Sequence, residues 1–221
     1  MKTTVYQFEH SPYCIPVTQA LFALGVPFAV KNISNADRKE VIELTAGAYY
    51  QVPVLVHEDQ VVFESAPDST DVARYVDRVF AGGRLFPAGH DGLQRILIPY
   101  IEDQVEGVTF QLVDPRYLRA MTDVVERTMI RRHKERKFGA GCVEAWERDR
   151  ERLTAVADAL LEPFDLMLQH RTFLLGDAPV FADFALFGIL GNLTYRGFNQ
   201  LPSGQKSLAA WQQRLQNFRF A

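Results

Sequence analysis

Three places in the sequence combine residue types that could do chemistry. The first is Ser11-Pro12-Tyr13-Cys14, between a strand-like run and a helical one. A helix N-terminus carries partial positive charge and unpaired N–H groups, so it favours an anion, a thiolate included. A cysteine at the outermost position would have a lowered pKa and be nucleophilic. Here that residue is Ser11, whose hydroxyl can donate a hydrogen bond to a thiolate belonging to a bound thiol ligand; equally, it can cap the helix and do nothing more. Cys14, one turn in, has the character of a small buried hydrophobe. The second place is Val52-Pro53. A proline that opens a strand after a loop is where a cis peptide can form, which would leave the backbone groups of Val52 for an extended peptide to pair with. The third is Asp68-Ser69, ahead of a helical run. This pair either caps the helix or holds a ligand with both charges of an amino acid, Asp68 taking the ammonium while Ser69 and the helix N-terminus take the carboxylate.

The elements that must position these residues follow from periodicity. Residues 3–8 have the β-branched and aromatic content of a strand. From Tyr13 to Gly25, Val17, Ala20, Leu21 and Leu24 fall on one helical face, with Pro16 tolerated in the first turn. Pro27 to Ile33 reads as a second strand, and a short helix follows to about Thr45. Val52–Val56 and Val61–Glu64, joined by a polar turn, read as a hairpin. A third helix follows Asp68-Ser69, with Val72, Val76, Val79 and Phe80 at helical spacing. The order βαβ-α-ββα predicts a small mixed sheet, parallel at the crossover and antiparallel at the hairpin. Strand signals then stop. A Gly/Pro-rich stretch, 81–91, reads as a linker between a domain of residues 1–80 and an all-helical domain of residues 92–221, with helical patterns over 92–112, 116–136, 142–170, 181–195 and 205–217.

Composition narrows the function. The chain has 221 residues, 48% of them hydrophobic and 23% charged, with a formal net charge of −3. That balance gives no general attraction to nucleic acid or to an anionic membrane. No apolar run approaches the roughly 20 residues that span a bilayer. Two distant cysteines, Cys14 and Cys142, make no disulfide scaffold, and the sequence opens straight into a strand, so a cytoplasmic location is expected. No Cys/His cluster has metal-ligand spacing and no Gly-rich phosphate loop occurs, so neither a metal nor a nucleotide is expected. The basic run Arg131-Arg132-His133-Lys134, with Arg136 and Lys137, is interleaved with Glu135 and reads as a solvated helix face.

In order, these features are strand, S-P-Y-C, helix, strand, helix, V-P-V-L, strand, D-S, helix, Gly/Pro linker and helical domain. That order resembles the glutathione transferase superfamily over nearly the whole chain. The nearest motifs are Val52-Pro53-Val54-Leu55, Asp68 to Asp77, and Phe173 to Leu186. The resemblance implies a thioredoxin-like N-terminal domain, an all-α C-terminal domain, glutathione as co-substrate, a small hydrophobic electrophile between the domains, and a homodimer. It also implies that Ser11 activates the glutathione thiol, that Tyr13 lies near that thiol, that Pro53 is cis, and that Val52 pairs with the cysteinyl part. Asp68 and Ser69 would bind the γ-glutamyl end, with Glu64-Ser65 as the alternative pair, and Lys39 the glycine carboxylate. Tyr100, Gln104 and Phe110 are candidates for the electrophile cleft. The Asn-Pro-x-Gly expected before V-P is replaced by Ala46 to Gln51, and Val180 stands where the family caps its late helix with Ser or Thr. Two other readings stay open: a glutathione-dependent disulfide reductase using Cys14, and a binding module of the same fold without turnover.

Overall fold

A computed structural model of the chain describes residues 2–65 and 70–221. The first 81 residues build a four-stranded sheet in the order β2-β1-β3-β4, from β1 (Thr3–Gln7), β2 (Ala29–Asn32), β3 (Val54–His57) and β4 (Gln60–Phe63). β1 pairs in parallel with β2 and antiparallel with β3, and β3–β4 is the expected hairpin. Helices α1 (Cys14–Ala23), α2 (Lys39–Leu44) and α3 (Asp71–Val76) complete the domain. α3 runs on into a π-helical turn, Asp77–Ala81.

The rest is helical: α4 (Ala88–Pro99), α5 (Glu106–Ala120), α6 (Val124–Phe138), α7 (Cys142–Arg148), α8 (Arg150–Leu168), α9 (Phe181–Leu193) and α10 (Lys206–Gln216). This matches the thioredoxin-like plus all-α architecture, with differences at the joints. α4 already begins at Ala88, inside the Gly/Pro-rich stretch, directly after the extended Pro87. The run expected over 92–112 is interrupted by a π-helical turn, Tyr100–Val105, immediately after Pro99. Proline lacks an N–H, so the hydrogen-bond ladder loses a rung there and re-forms at a wider spacing. The run expected over 116–136 breaks where Met121 turns extended, and Asp123 restarts it by accepting hydrogen bonds from the Val125 and Glu126 N–H groups.

The two halves share one apolar core. Its anchor is α9, the most deeply buried helix, and Asp183 on its first turn is fully buried. The Asp183 carboxylate accepts from the N–H groups of Val180 and Leu174 and from Trp211 Nε1, each within 3.0 Å. So the capping function survives the loss of the Ser/Thr at position 180. Burial pushes this carboxyl up to about 6 in spite of those bonds.

α9 packs on α1 at glycines. A Cβ on Gly188 would lie 2.3 Å from the Pro12 carbonyl oxygen and 2.5 Å from the Pro16 ring. One on Gly191 would lie 3.2 Å from the tip of Ile15. Backbone and a proline ring cannot yield as a flexible side-chain tip can. Gly188→Ala is therefore expected to cost about 1–3 kcal/mol of stability and Gly191→Ala clearly less, as read from urea unfolding midpoints. Equal losses would show that the seam is not packed at backbone distance.

Candidate functional site

The loop from β1 into α1 carries Ser11, which is buried. Its Oγ accepts hydrogen bonds from the N–H groups of Tyr13 and Cys14, both at 3.3 Å, so Ser11 does cap the helix. Two amide donors on the oxygen leave the hydroxyl's single proton for donation. Cys14 is fully buried, and burial pushes its thiol up to about 12, against the lowering effect of hydrogen bonds with Ser11 and the Phe8 backbone. The positive end of α1 does not outweigh that loss of hydration, and Cys14 stays a thiol at neutral pH. Tyr13, too, stays neutral: burial raises its phenol far above the ordinary range, reinforced by Glu106, Glu102 and Asp103.

The Val52–Pro53 peptide is cis. Beside it lies a cavity of about 210 Å³ lined by Tyr13, Tyr49, Gln51, Val52, Pro53 and Glu64. The departure before Val52 is accommodated by Thr45. Its hydroxyl bonds the carbonyl of Val41 and both the carbonyl and the N–H of Tyr49, while Ala46 and Gly47 take positive φ. At the far wall, Glu64 accepts from the N–H groups of Asp71 and Val72 at the start of α3, and Asp71 accepts from the N–H and hydroxyl of Ser65. Asp68 and Ser69 lie outside the described residues.

Lys39 stands apart from this cavity. Its side chain is 75% exposed and pairs with Glu43 at 3.7 Å. The neighbouring Arg38 turns inward instead. It reaches the Tyr50 carbonyl at 3.3 Å and Gln51 Oε1 at 3.5 Å, with its guanidinium 4.2 Å from the centre of the Phe8 ring. Gln51 lines both the small cavity and a larger one, and Arg38, bonded to it, lines the larger one. The sequence offered no signal that separates Arg38 from Lys39. One residue of helical rotation, about 100°, decides which of two adjacent cations faces in.

Between the domains runs a cleft with two lobes that share Phe8, His10, Asn35 and Tyr117. One lobe, about 330 Å³, is closed by α6; the other, about 280 Å³, is closed by the 120–123 turn and Tyr195. His10 lies with its ring centre 4.1 Å from that of Tyr117, and burial lowers its imidazole to about 4, leaving it neutral. None of the three cleft candidates lines these lobes. Tyr100 bonds the Leu160 carbonyl and packs on Phe164, Phe110 is buried against Phe138 and Trp146, and Gln104 is exposed on the π-helical turn. The π-helical turn shifts the phase of everything after it. The cleft residues of α5 are Asp114 and Tyr117, which the 3.6-residue periodicity alone could not place.

The fold and site define a thioredoxin-like domain with a cis-proline cavity, joined to a helical domain across a cleft. The chain belongs to the glutathione S-transferase family: residues 5–84 match the model of its N-terminal domain and residues 92–216 that of its C-terminal domain. Among solved structures, the fold is similar to glutathione transferase GSTFuA3 from Phanerochaete chrysosporium (16% identity, 100% of this chain and 98% of that one, TM-score 0.80). It is also similar to CsGST63524 of Ceriporiopsis subvermispora in complex with glutathione (18%, 96% and 96%, 0.78). A third is glutaredoxin 2 from Salmonella typhimurium in complex with glutathione (20%, 97% and 94%, 0.73). No curated protein sequence matches.

Glu106, at the start of α5, acts on Tyr13 and is itself perturbed. Burial raises its carboxyl from 4.5 to about 7, with Asp114 and Asp103 adding to the rise and Lys134 and Lys137 opposing it. In the window from about 4.5 to 7, the folded state holds this proton and the unfolded state does not, so its contribution to stability falls as pH rises. Glu106→Gln removes the effect. The melting temperature of the variant relative to the parent is therefore expected to be higher at about pH 8 than at about pH 5. A difference that does not change with pH would show Glu106 to be an ordinary solvated carboxylate.

Proposed function

We propose that this chain binds glutathione in the cis-proline cavity and activates its thiol for attack on a small electrophile in the interdomain cleft. The observation that carries this reading is the cavity itself, which gathers Tyr13, Val52, Pro53 and Glu64 beside the Ser11 loop. The presence of glutathione in two of the similar structures supports it.

Ser11 and the α1 N-terminus favour the thiolate, the hydroxyl by donating its proton and the helix by its positive potential. The backbone of Val52 pairs with the cysteinyl unit. Glu64, at the cavity wall, takes the γ-glutamyl ammonium. Arg38, bonded to Gln51 of the cavity wall, takes the glycine carboxylate in preference to Lys39, which is exposed and paired with Glu43. With an aryl or alkyl halide, a carbon–sulfur bond forms, the halide departs with the bonding electrons, and the thiol proton passes to solvent. An epoxide, an aryl ether or a peroxide is open to the same nucleophile. Cys14 takes no part, because a fully buried thiol held at about 12 neither ionises nor meets a disulfide. Homodimerisation fits exposed Leu93 and Ile96 on α4, and a cytoplasmic, detoxifying role fits a chain of this family.

Calorimetric titration with reduced glutathione, beside a chlorodinitrobenzene assay, tests the reading. Glu64→Gln and Arg38→Ala are each expected to weaken binding about tenfold, while Lys39→Ala leaves it within about twofold. Ser11→Ala should bind glutathione yet lose at least about tenfold in kcat/KM. Cys14→Ala should keep both. Absence of glutathione binding in the parent chain would sink the proposal and leave a binding module of the fold.

A further inference from the structure

A separate cavity lies on the side of α5 turned away from the cleft. Its lining residues on that helix are Leu112 and Arg116, one turn apart. Asp114, which faces the cleft, is two residues from each and so about 200° around the helix from them. The cavity measures about 360 Å³, within the range of about 300–1,000 Å³ usual for small-molecule sites. It is closed by α8 and by the 199–203 loop, and it shares no lining residue with the cis-proline cavity or with either lobe of the cleft. Its walls are tied together by polar bonds. Arg150 on α8 donates to the Leu112 carbonyl at 2.8 Å and to Asn199 Oδ1 at 2.9 Å, and Asn199 Nδ2 donates to the Leu193 carbonyl at 3.0 Å. Gln205 Nε2 donates to the Asp158 carbonyl at 2.7 Å.

Within those walls two opposite charges stand without an ionic partner. Arg150 is committed to Glu147 at 3.0 Å. Arg116 and Asp158 line the same cavity, yet neither takes part in an ion pair among the described residues, with the other or with any third group. Both are half-buried. Burial works against each charge. It lowers the Arg116 guanidinium, an effect that Arg150 and Arg119 reinforce and Glu147 opposes, and it raises the Asp158 carboxyl. Hydration lost without a partner is made good when a ligand supplies the opposite charge. The apolar lining is aliphatic, from Leu112, Leu161, Leu193 and Leu201. A cavity that offers one cation, one anion and an aliphatic surface is matched by a small molecule that carries the complement of each. We propose that it binds a zwitterion, a free α-amino acid with an aliphatic side chain, whose carboxylate meets Arg116 and whose ammonium meets Asp158. This site is separate from the one proposed for glutathione and does not depend on it.

Calorimetric titration of the full chain with four probes tests the assignment: leucine, N-acetylleucine without the ammonium, leucinamide without the carboxylate, and glycine without the aliphatic body. Leucine should bind saturably and each of the others at least about tenfold more weakly. Arg116→Gln should weaken leucine at least about tenfold while leaving leucinamide, which has no carboxylate to lose, within about twofold. Asp158→Asn should weaken leucine likewise and leave N-acetylleucine within about twofold. Arg152→Gln, on the same helix but exposed and paired with Asp149, should change none of them. Saturating glutathione should leave the leucine titration unchanged. Absence of saturable leucine binding up to about 10 mM, equal affinity for leucine and its two capped forms, variants that lose all four probes alike, or competition by glutathione would each overturn the assignment.

Discussion

The missing side chain of Gly188 is the constraint on which the site depends. Without a Cβ, α9 comes to backbone distance of Pro12 and Pro16, the residues on either side of the helix start that carries Ser11. The contact is extended by polar bonds. Asn192 Nδ2 donates to the His10 carbonyl at 2.6 Å, and the Tyr195 hydroxyl donates to Glu9 at 2.8 Å. Segment 9–16 is thus clamped from the second domain along its length, and α9 is in turn held at its own start by Asp183. The relative position of the domains, and therefore the width of the cleft, follows from this seam. Because interiors pack at near-crystalline density, a shift of even a methyl group here would be transmitted to the loop rather than absorbed.

Within that frame, burial rather than helix polarity decides which groups can react. Ser11 and Cys14 share the positive end of α1, whose potential is that of about half an elementary charge. For Cys14 that help is smaller than the cost of ionising inside a dry core, and its thiol is raised rather than lowered. A serine in the outer position has no ion to form. It needs only to present its proton, since two backbone N–H groups already occupy the oxygen as an acceptor. The same environment thus disables a cysteine nucleophile and favours a serine that polarises a thiol brought from outside.

Much of this was legible in the sequence. Strand content, the polar hairpin turn and the strong period-3.6 stripes led to the sheet order and to the helical second half. The V-P-V-L and Phe173 to Leu186 motifs, through the resemblance they carry, led to the family. What escaped is local phase. Lys39 and Arg38 are adjacent cations, and only the observed start of α2 separates the one paired with Glu43 from the one at the cavity. Glu64 stands at the wall of the Val52–Pro53 cavity, a placement that its position in the text does not reveal. Phe110 turns into the core because the π-helical turn after Pro99 rotates the helix that follows, an effect that no apolar pattern records. The basic run on α6 was read as uniformly solvated because its acids, Glu144 and Asp114, lie on other helices.

That distribution of partners on α6 follows a physical rule. Lys134 and Asp114 have side chains only 21% and 14% exposed, and at that depth an unpaired ion would lose several kcal/mol of hydration. Their pairing is obligatory. Arg136 remains exposed and keeps its water, so leaving it without a carboxylate costs the free protein little. The half-buried Arg38, facing α6 across the lobe, is held by neutral acceptors on Asn35, Tyr50 and Gln51. How closely each of these cations is partnered therefore follows how much water it has lost.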